Sequence, residues 1–261
     1  MSKANYHTHT ARCGHAEGTD EAYVLAAIAQ DFDTLGFSDH VPWPYASGYT
    51  HTHVRMTVDR LDEYLASVRA LKAKYAGQIE ILAGFECEYF PAYMGWLSDM
   101  KQEKQLDYLI FGNHYENTDE GGFYFGSAKT AAQLRAYVDS AVKGMETGLF
   151  AYLAHPDLIY TSQPVFDETC REAAYTLCEE AKKLGLPLEY NLYGVDKRAR
   201  GEFSGLGYPC APFWEIAAKT GVRAIIGFDA HKLQHLCERA RYEAAKQYLE
   251  GLGLSLVQRL F

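Results

Sequence analysis

Tyr6-His7-Thr8-His9-Thr10-Ala11-Arg12-Cys13-Gly14-His15 begins at the end of a short run starting at Ala4, and its reading decides the fold. If Ala4 to His7 is a strand, His7 and His9 share one face about 6.6 Å apart. Two imidazoles so placed can converge on one metal ion at about 2.0–2.1 Å. Taken alone, an H-x-H pair is equally well two half-exposed strand histidines. The same residue types recur, however, at the ends of other apolar runs: Gly36-Phe37-Ser38-Asp39-His40, Gly84-Phe85-Glu86-Cys87-Glu88, Gly112-Asn113-His114, Ala154-His155-Pro156-Asp157 and Gly227-Phe228-Asp229-Ala230-His231.

Working outward, the runs with strand character are Ala4 to His7, Thr34 to Ser38, Ile79 to Glu86, Tyr108 to Asn113, Ala151 to Ala154, Pro187 to Asn191 and Ala224 to Phe228. Amphipathic stretches lie between them. Leu61, Leu65, Val68 and Leu71 recur at helical spacing within Val58 to Tyr75, and Cys170 to Leu184 ends at Gly185, a C-cap residue. Alternating strands and helices predict an α/β fold, either a barrel or a doubly wound sheet. In a parallel barrel the C-terminal ends of all strands ring one mouth, so distant ligands become neighbours, and the recurrent histidines favour that architecture.

At 261 residues, with 48% hydrophobic and 23% charged, the chain has ample apolar surface for a packed core. No linker or repeat interrupts the alternation, so a single domain over residues 1–261 is expected. The longest apolar run is about six residues, at Leu149 to Ala154, against the roughly 20 needed to cross a bilayer. The N-terminus lacks the apolar segment of a secretory signal, and a soluble, cytoplasmic protein with no membrane partner is the expectation. A formal charge of −9 argues against duplex nucleic acid, which is held by basic side chains. The six cysteines, without a C-x-x-C pair, read as reduced and mostly buried thiols.

His7-Thr8-His9, Cys13-Gly14-His15-Ala16, Gly36-Phe37-Ser38-Asp39-His40, Glu86, His114, His155-Pro156-Asp157 and Asp229-Ala230-His231 together resemble the motifs, in order, of the PHP (polymerase and histidinol phosphatase) superfamily of metal-dependent phosphoesterases. Arg12-Cys13-Gly14-His15-Ala16, Leu71-Lys72-Ala73-Lys74-Tyr75 and Gly84-Phe85-Glu86 look most like its histidinol-phosphatase branch. The resemblance implies a distorted seven-stranded, TIM-like (β/α) barrel with a trinuclear metal centre. His7, His9, Glu86 and Asp229 would hold one ion, Glu86 would bridge to a second held by His114 and His155, and His15, His40 and His231 would hold the third. This nitrogen and oxygen set permits two to three Zn, Mn or Fe ions. Glu88 shares a strand face with Glu86, and the resemblance favours Glu86 as the ligand with Glu88 behind it. Asp39 and Asp157 each adjoin a ligand histidine and could accept its other ring N–H, or equally serve as turn and cap residues.

Three divalent ions against two carboxylates leave the mouth near +4, a field suited to a phosphomonoester dianion. The ions that the resemblance implies would make water available as hydroxide near neutral pH for attack on phosphorus. Arg12, inside the metal loop, and Asn191, Lys197, Arg198 and Arg200, after the sixth strand, are candidates for orienting the substrate, with solvated surface charge the alternative for the basic residues. The resemblance implies conversion of L-histidinol phosphate to L-histidinol and phosphate. Asp157-Leu158-Ile159-Tyr160-Thr161 lacks the basic residue usual there in that branch, which leaves another small phosphomonoester open. The competing readings are a nuclease acting on nucleotides or short oligonucleotides and a non-catalytic metal-binding module. His51 and His53 read as loop residues outside the ligand set, and His235 as a surface helix histidine.

With that ligand set, purified protein should carry two to three transition-metal ions and lose them together with activity on chelation. Elemental analysis is the check; activity intact in protein with none contradicts the assignment.

Overall fold

The structure is a computed structural model that describes residues 3–261. Its strands are β1 (Ala4–Asn5), β2 (Thr34–His40), β3 (Glu80–Cys87), β4 (Tyr108–Phe111), β5 (Leu188–Asn191) and β6 (Ala224–Gly227). The helices are α1 (Asp20–Ala29), α2 (Leu61–Lys74), α3 (Met94–Glu103), α4 (Ala131–Glu146), α5 (Glu168–Leu184), α6 (Leu192–Ala199), α7 (Ala211–Thr220), α8 (Leu233–Leu236) and α9 (Arg239–Gly251). Helix α5 ends at Gly185 in the left-handed conformation, as its sequence predicts.

All strand pairings are parallel, in the orders β1-β2-β3-β4 and β5-β6. Single bridges join the two pieces. Leu153 bridges to Phe111 on one side and Leu188 on the other, and Thr8 bridges to Ala230. The result is a curled parallel α/β sheet. Among the described residues the ladders do not amount to the seven continuous strands expected, because Ala151 to Ala154 contributes only the Leu153 bridges. That segment does hydrogen-bond to β4, through Ala151 N–H to the Leu109 carbonyl, Phe111 N–H to Tyr152 and Ala154 N–H to Phe111, but its bridges reduce to Leu153, just before left-handed His155 (φ 30°).

Both faces of the sheet are covered, which is why its strands read as near-continuous apolar runs. On β3, Ile81, Ala83 and Phe85 pack outward with Val68 and Leu71 of α2, while Leu82 points inward among Tyr6, Tyr108, Ile110 and Tyr152. Each large apolar side chain so buried contributes about 1.5–3 kcal/mol. The inward parity then carries Glu86 into the mouth above this apolar floor. Register matters as much: β2 pairs with β3 so that His40 lies beside Glu86. Tyr108 can occupy the floor only because Gly36 and Gly84 face it; a Cβ at Gly84 would stand 2.5 Å from the Tyr108 carbonyl oxygen. No helix among the described residues is long and apolar enough to cross a membrane.

Replacing Gly84 by Ala should cost about 1–3 kcal/mol by overpacking, since backbone lies in the way. A melting temperature lower by several degrees is expected. Gly95→Ala, at a helical position with nothing within 4 Å of the added methyl, should leave it unchanged or raise it.

Candidate metal centre

The strand ends bring distant side chains together. His7 and His9 follow β1, His40 and Glu86 end β2 and β3, His114 follows β4, His155 follows the Leu153 bridge, and Asp229 and His231 follow β6. His155 and Asp229 both have left-handed backbone, φ 30° and 49°. Such a conformation at a residue other than glycine costs of order 1–3 kcal/mol, and here it turns each chain out of its strand at a donor residue.

Glu86 is the hub. Its Oε1 lies 2.8 Å from His155 Nε2 and 3.3 Å from His114 Nε2. Its Oε2 lies 3.1 Å from His40 Nδ1, 3.3 Å from His7 Nε2 and 3.5 Å from His9 Nε2. Asp229 Oδ1 stands 3.1 Å from His9 Nε2 and 3.5 Å from His7 Nε2. His15 and His231 meet through their Nε2 atoms at 2.8 Å, and His9 stacks on His231. Gly112 makes the crowding feasible, because a Cβ there would fall 2.2 Å from Glu86 Oε1.

Such crowding sets burial against charge at each donor. Burial opposes the charged form of Glu86, but His7, His114 and His40 outweigh it and hold its carboxyl well below the usual range. Burial likewise opposes protonated His9, yet Asp229 and Asp39 lift it to about 9. Burial pushes His40 and His231 well below an ordinary imidazole, and the charge on His9 adds to the effect. Protons therefore cannot neutralise every donor. His7 Nε2, both ring nitrogens of His9, His40 Nδ1 and Asp229 Oδ1 are buried without a hydrogen-bond partner. Each such group costs about 1–3 kcal/mol if left unsatisfied. Donor atoms of His9, His40 and His231, of His7, Glu86 and His155, of His7, His9 and Asp229, and of His40, Glu86 and His114 lie within 4.8 Å of one another in each set. A cluster of divalent cations with nitrogen and oxygen ligands fits these atoms.

Behind the donors lies a layer of orienting carboxylates. Glu189, fully buried on β5, accepts from His7 Nδ1 at 2.8 Å, from the His155 backbone N–H at 3.1 Å and from Asn191 Nδ2 at 3.0 Å. The bond to Nδ1 leaves the Nε2 lone pair of His7 facing inward. Glu88 does the same for His114, meeting its Nδ1 at 2.9 Å. Buried Arg55 and His114 hold the Glu88 carboxyl down at about 2 against the effect of burial. Sequence reasoning missed both Glu189 and Arg55. The signal for Glu189 was available: it shares strand parity with Asn191 in an otherwise apolar run.

Several expectations need correction. Arg12 turns away from the mouth and pairs with Asp20 at 2.8 Å and Glu63 at 2.9 Å. Arg198 donates to the Pro209 carbonyl and borders a separate cavity, and Arg200 is taken by Asp196 and Glu202. Asn191 is fully buried; it caps α6 through Gly194 N–H and donates to Asp229 Oδ2 at 3.1 Å, beneath the mouth instead of in it. Lys197 alone of these candidates lines the cavity over the donors, which measures about 270 Å³ and is walled by Tyr115, Tyr124, Tyr193 and Tyr208. Asp39 stands behind His9, 3.5 Å from Nδ1. Asp157 makes no bond to a donor histidine: it accepts from Cys210 N–H and Trp214 Nε1, and burial raises it to about 6. His235 is buried, not on the surface, and its Nδ1 accepts from the His231 backbone N–H at 3.2 Å. His51 is partly exposed, 3.5 Å from Asp119, and His53 is exposed. The cysteines are free, all buried except Cys237.

Residues 5–192 match the family described as PHP domain. A Deinococcus radiodurans protein named "Probable histidinol-phosphatase" is 28% identical over 243 residues, covering 87% of this chain and 85% of the relative. A Schizosaccharomyces pombe protein of the same name is 25% identical over 272 residues, covering 95% and 86%. Among solved structures, a Lactococcus lactis histidinol phosphate phosphatase "complexed with ZN, L-histidinol and phosphate" superposes with a TM-score of 0.72 at 17% identity, over 98% of this chain and 95% of that one.

Because Glu86 touches donors on both sides of the cluster, one oxygen to each, Glu86→Gln should release bound metal and abolish turnover. Glu88→Gln should keep most of the metal and lose about 10- to 100-fold in rate. Metal content measured beside rate on both proteins is the check, and full occupancy in Glu86→Gln moves the bridge elsewhere, with Glu88 the replacement.

Proposed function

The chain belongs to the PHP domain family, and on that premise we propose that it is a metal-dependent phosphatase of small phosphomonoesters, similar to the histidinol phosphatases. One observation carries the reading: buried nitrogen and oxygen donors without partners converge at the floor of a cavity that has one lining lysine and tyrosine walls. His7, His9, Glu86 and Asp229 would hold one ion, Glu86, His114 and His155 a second, and His15, His40 and His231 a third. Such ions supply Lewis acidity, offsetting phosphate charge and making water a nucleophile at neutral pH. Zinc is compatible with the donor set, and the Lactococcus relative is recorded with it.

The side chains of this chain do the rest. Lys197, its Nζ 5.2 Å from the Tyr193 ring centroid, binds a phosphate oxygen and orients the ester. Tyr115, Tyr124 and Tyr208 restrict the cavity to a small leaving group and exclude water around it. Glu189 holds the proton on His7 Nδ1 and Glu88 the proton on His114 Nδ1, so the opposite nitrogens stay free as ligands. L-Histidinol phosphate is the first substrate to test. A second reading, another small phosphomonoester, is favoured by the run Asp157 to Thr161, which brings no basic residue; Leu158 alone of that run borders the cavity.

Metal-loaded protein should release inorganic phosphate, not nucleotides, from a panel containing L-histidinol phosphate, other small phosphomonoesters and an aryl phosphate. Silence on the whole panel with metal bound contradicts the proposal. Lys197→Met should lower kcat/KM about 10- to 100-fold, the scale of one charged hydrogen bond of about 1.5–3 kcal/mol. An unchanged kcat/KM removes Lys197 from the site.

A further inference from the structure

The segment from Val41 to Thr57 has no helix or strand, yet it delivers the most deeply buried guanidinium or ammonium side chain among the described residues to the back of the site. Arg55 is 2% exposed. Its Nη2 and Nη1 reach Glu88 Oε1 and Oε2 at 3.0 and 3.3 Å, its Nε reaches Asp119 Oδ2 at 2.8 Å, and Nη1 also donates to the Val41 carbonyl at 2.9 Å. Trp43 Nε1 completes the shell of Glu88 at 2.9 Å, and Tyr45 donates to Asp119 Oδ1 at 2.5 Å. Arg55 thus joins three pieces of chain: its own segment, the end of β3, and the loop after His114 that carries Asp119. The neighbours Val54 and Tyr115 line the cavity, so the same grip sets one of its walls.

The chemistry needs an arginine. Glu88 is fully buried and must stay a carboxylate with one oxygen aimed at His114 Nδ1, 2.9 Å away. A planar fork can hold both of its oxygens and still reach a second carboxylate, whereas an ammonium is a point charge that cannot span that arrangement. Without the fork, Glu88 and Asp119 are two buried anions with no cation between them. Glu88 would then be free to rotate or draw in water, and His114 would lose the partner that fixes its tautomer and ring plane.

We infer that Arg55 is a positioning residue of the metal centre: through Glu88 it fixes His114 with Nε2 toward Glu86, and through Asp119 it fixes the wall beside it. The inference rests on the reading of His114 as a metal ligand. The test is Zn²⁺ titration of the metal-depleted full chain against a chromophoric chelator, with thermal melts of each protein. Arg55→Met should weaken Zn²⁺ binding about 10- to 100-fold. Arg55→Lys should fall between it and the parent. Because Arg55 acts through Glu88, Glu88→Gln should weaken Zn²⁺ binding by a similar factor in this titration even though it purifies with most of its metal, and the Arg55→Met/Glu88→Gln pair should lose less than the product of the two single losses. Arg12→Met, which breaks an ion pair away from the site, should bind Zn²⁺ as the parent does. Unchanged affinity in a cooperatively melting Arg55→Met protein overturns the inference, as do multiplicative losses in the pair. If Arg55→Met does not fold, Arg55→Lys and its pair with Glu88→Gln decide by the same two criteria. Failure of the parent chain to bind Zn²⁺ overturns the ligand reading itself, a different result from equal binding by parent and variants.

Discussion

The structure depends on one electrostatic constraint: imidazoles and carboxylates, most of them buried, are packed against one another at the floor of a single cavity. Desolvation disfavours every charged form there, while the mutual proximity of the donors disfavours most neutral arrangements. The opposed shifts of His9, raised, and His40 and His231, lowered, are two faces of that conflict. Cations reconcile it without asking any donor to change protonation. The surrounding backbone is arranged for this outcome, with left-handed His155 and Asp229 and with glycine at positions 112 and 227, where a Cβ would strike Glu86 and Glu189.

A second ring of charge stands behind the first. Glu189 and Glu88 are both fully buried, but they are stabilised differently. Glu189 is held by neutral donors, the His155 N–H, Asn191 and the Tyr152 hydroxyl, besides His7. Glu88 is held by a guanidinium and an indole N–H besides His114. The side of the centre nearest His7 is therefore fixed by the regular sheet, and the side nearest His114 by an irregular segment that the buried arginine ties down.

The donor cluster was legible because most of its members follow an apolar strand run, and parallel strands gather their C-terminal ends whatever lies between them. Its supporting residues were not, since Arg55 and Glu88 are 33 positions apart and His7 and Glu189 are 182 apart, with no local pattern to join them. The basic residues misled for another reason. Closeness in sequence to a metal loop says nothing about direction: Arg12 is three residues past His9 and faces Asp20. On α6 the helical period separates Tyr193 and Lys197, four apart and both on the cavity face, from Arg198, which turns to the Pro209 carbonyl; Arg200, just past the helix end, stands 5.8 Å from the Tyr193 ring but is taken by Asp196 and Glu202. The fifth strand lies hydrogen-bonded between its expected neighbours, but apolar content does not reveal that its ladder reduces to the Leu153 bridges.

The sheet is discontinuous, and among the described residues its two pieces are joined by the Ala151 to Ala154 segment, bridged at Leu153, and by Thr8–Ala230. His7, His9, His40, Glu86 and His114 come from the four-stranded piece and its extensions, Asp229 and His231 from beyond the two-stranded one. Ions shared among these donors would clasp the two pieces where the backbone ladder is thinnest. Metal supply then becomes a folding variable: above saturation, each tenfold rise in free ion adds about 1.4 kcal/mol per site to the native state. Cohesion of this α/β sheet would then be drawn partly from the surrounding solution, and cellular metal status would help govern how long the chain survives proteolysis as well as how fast it turns over substrate.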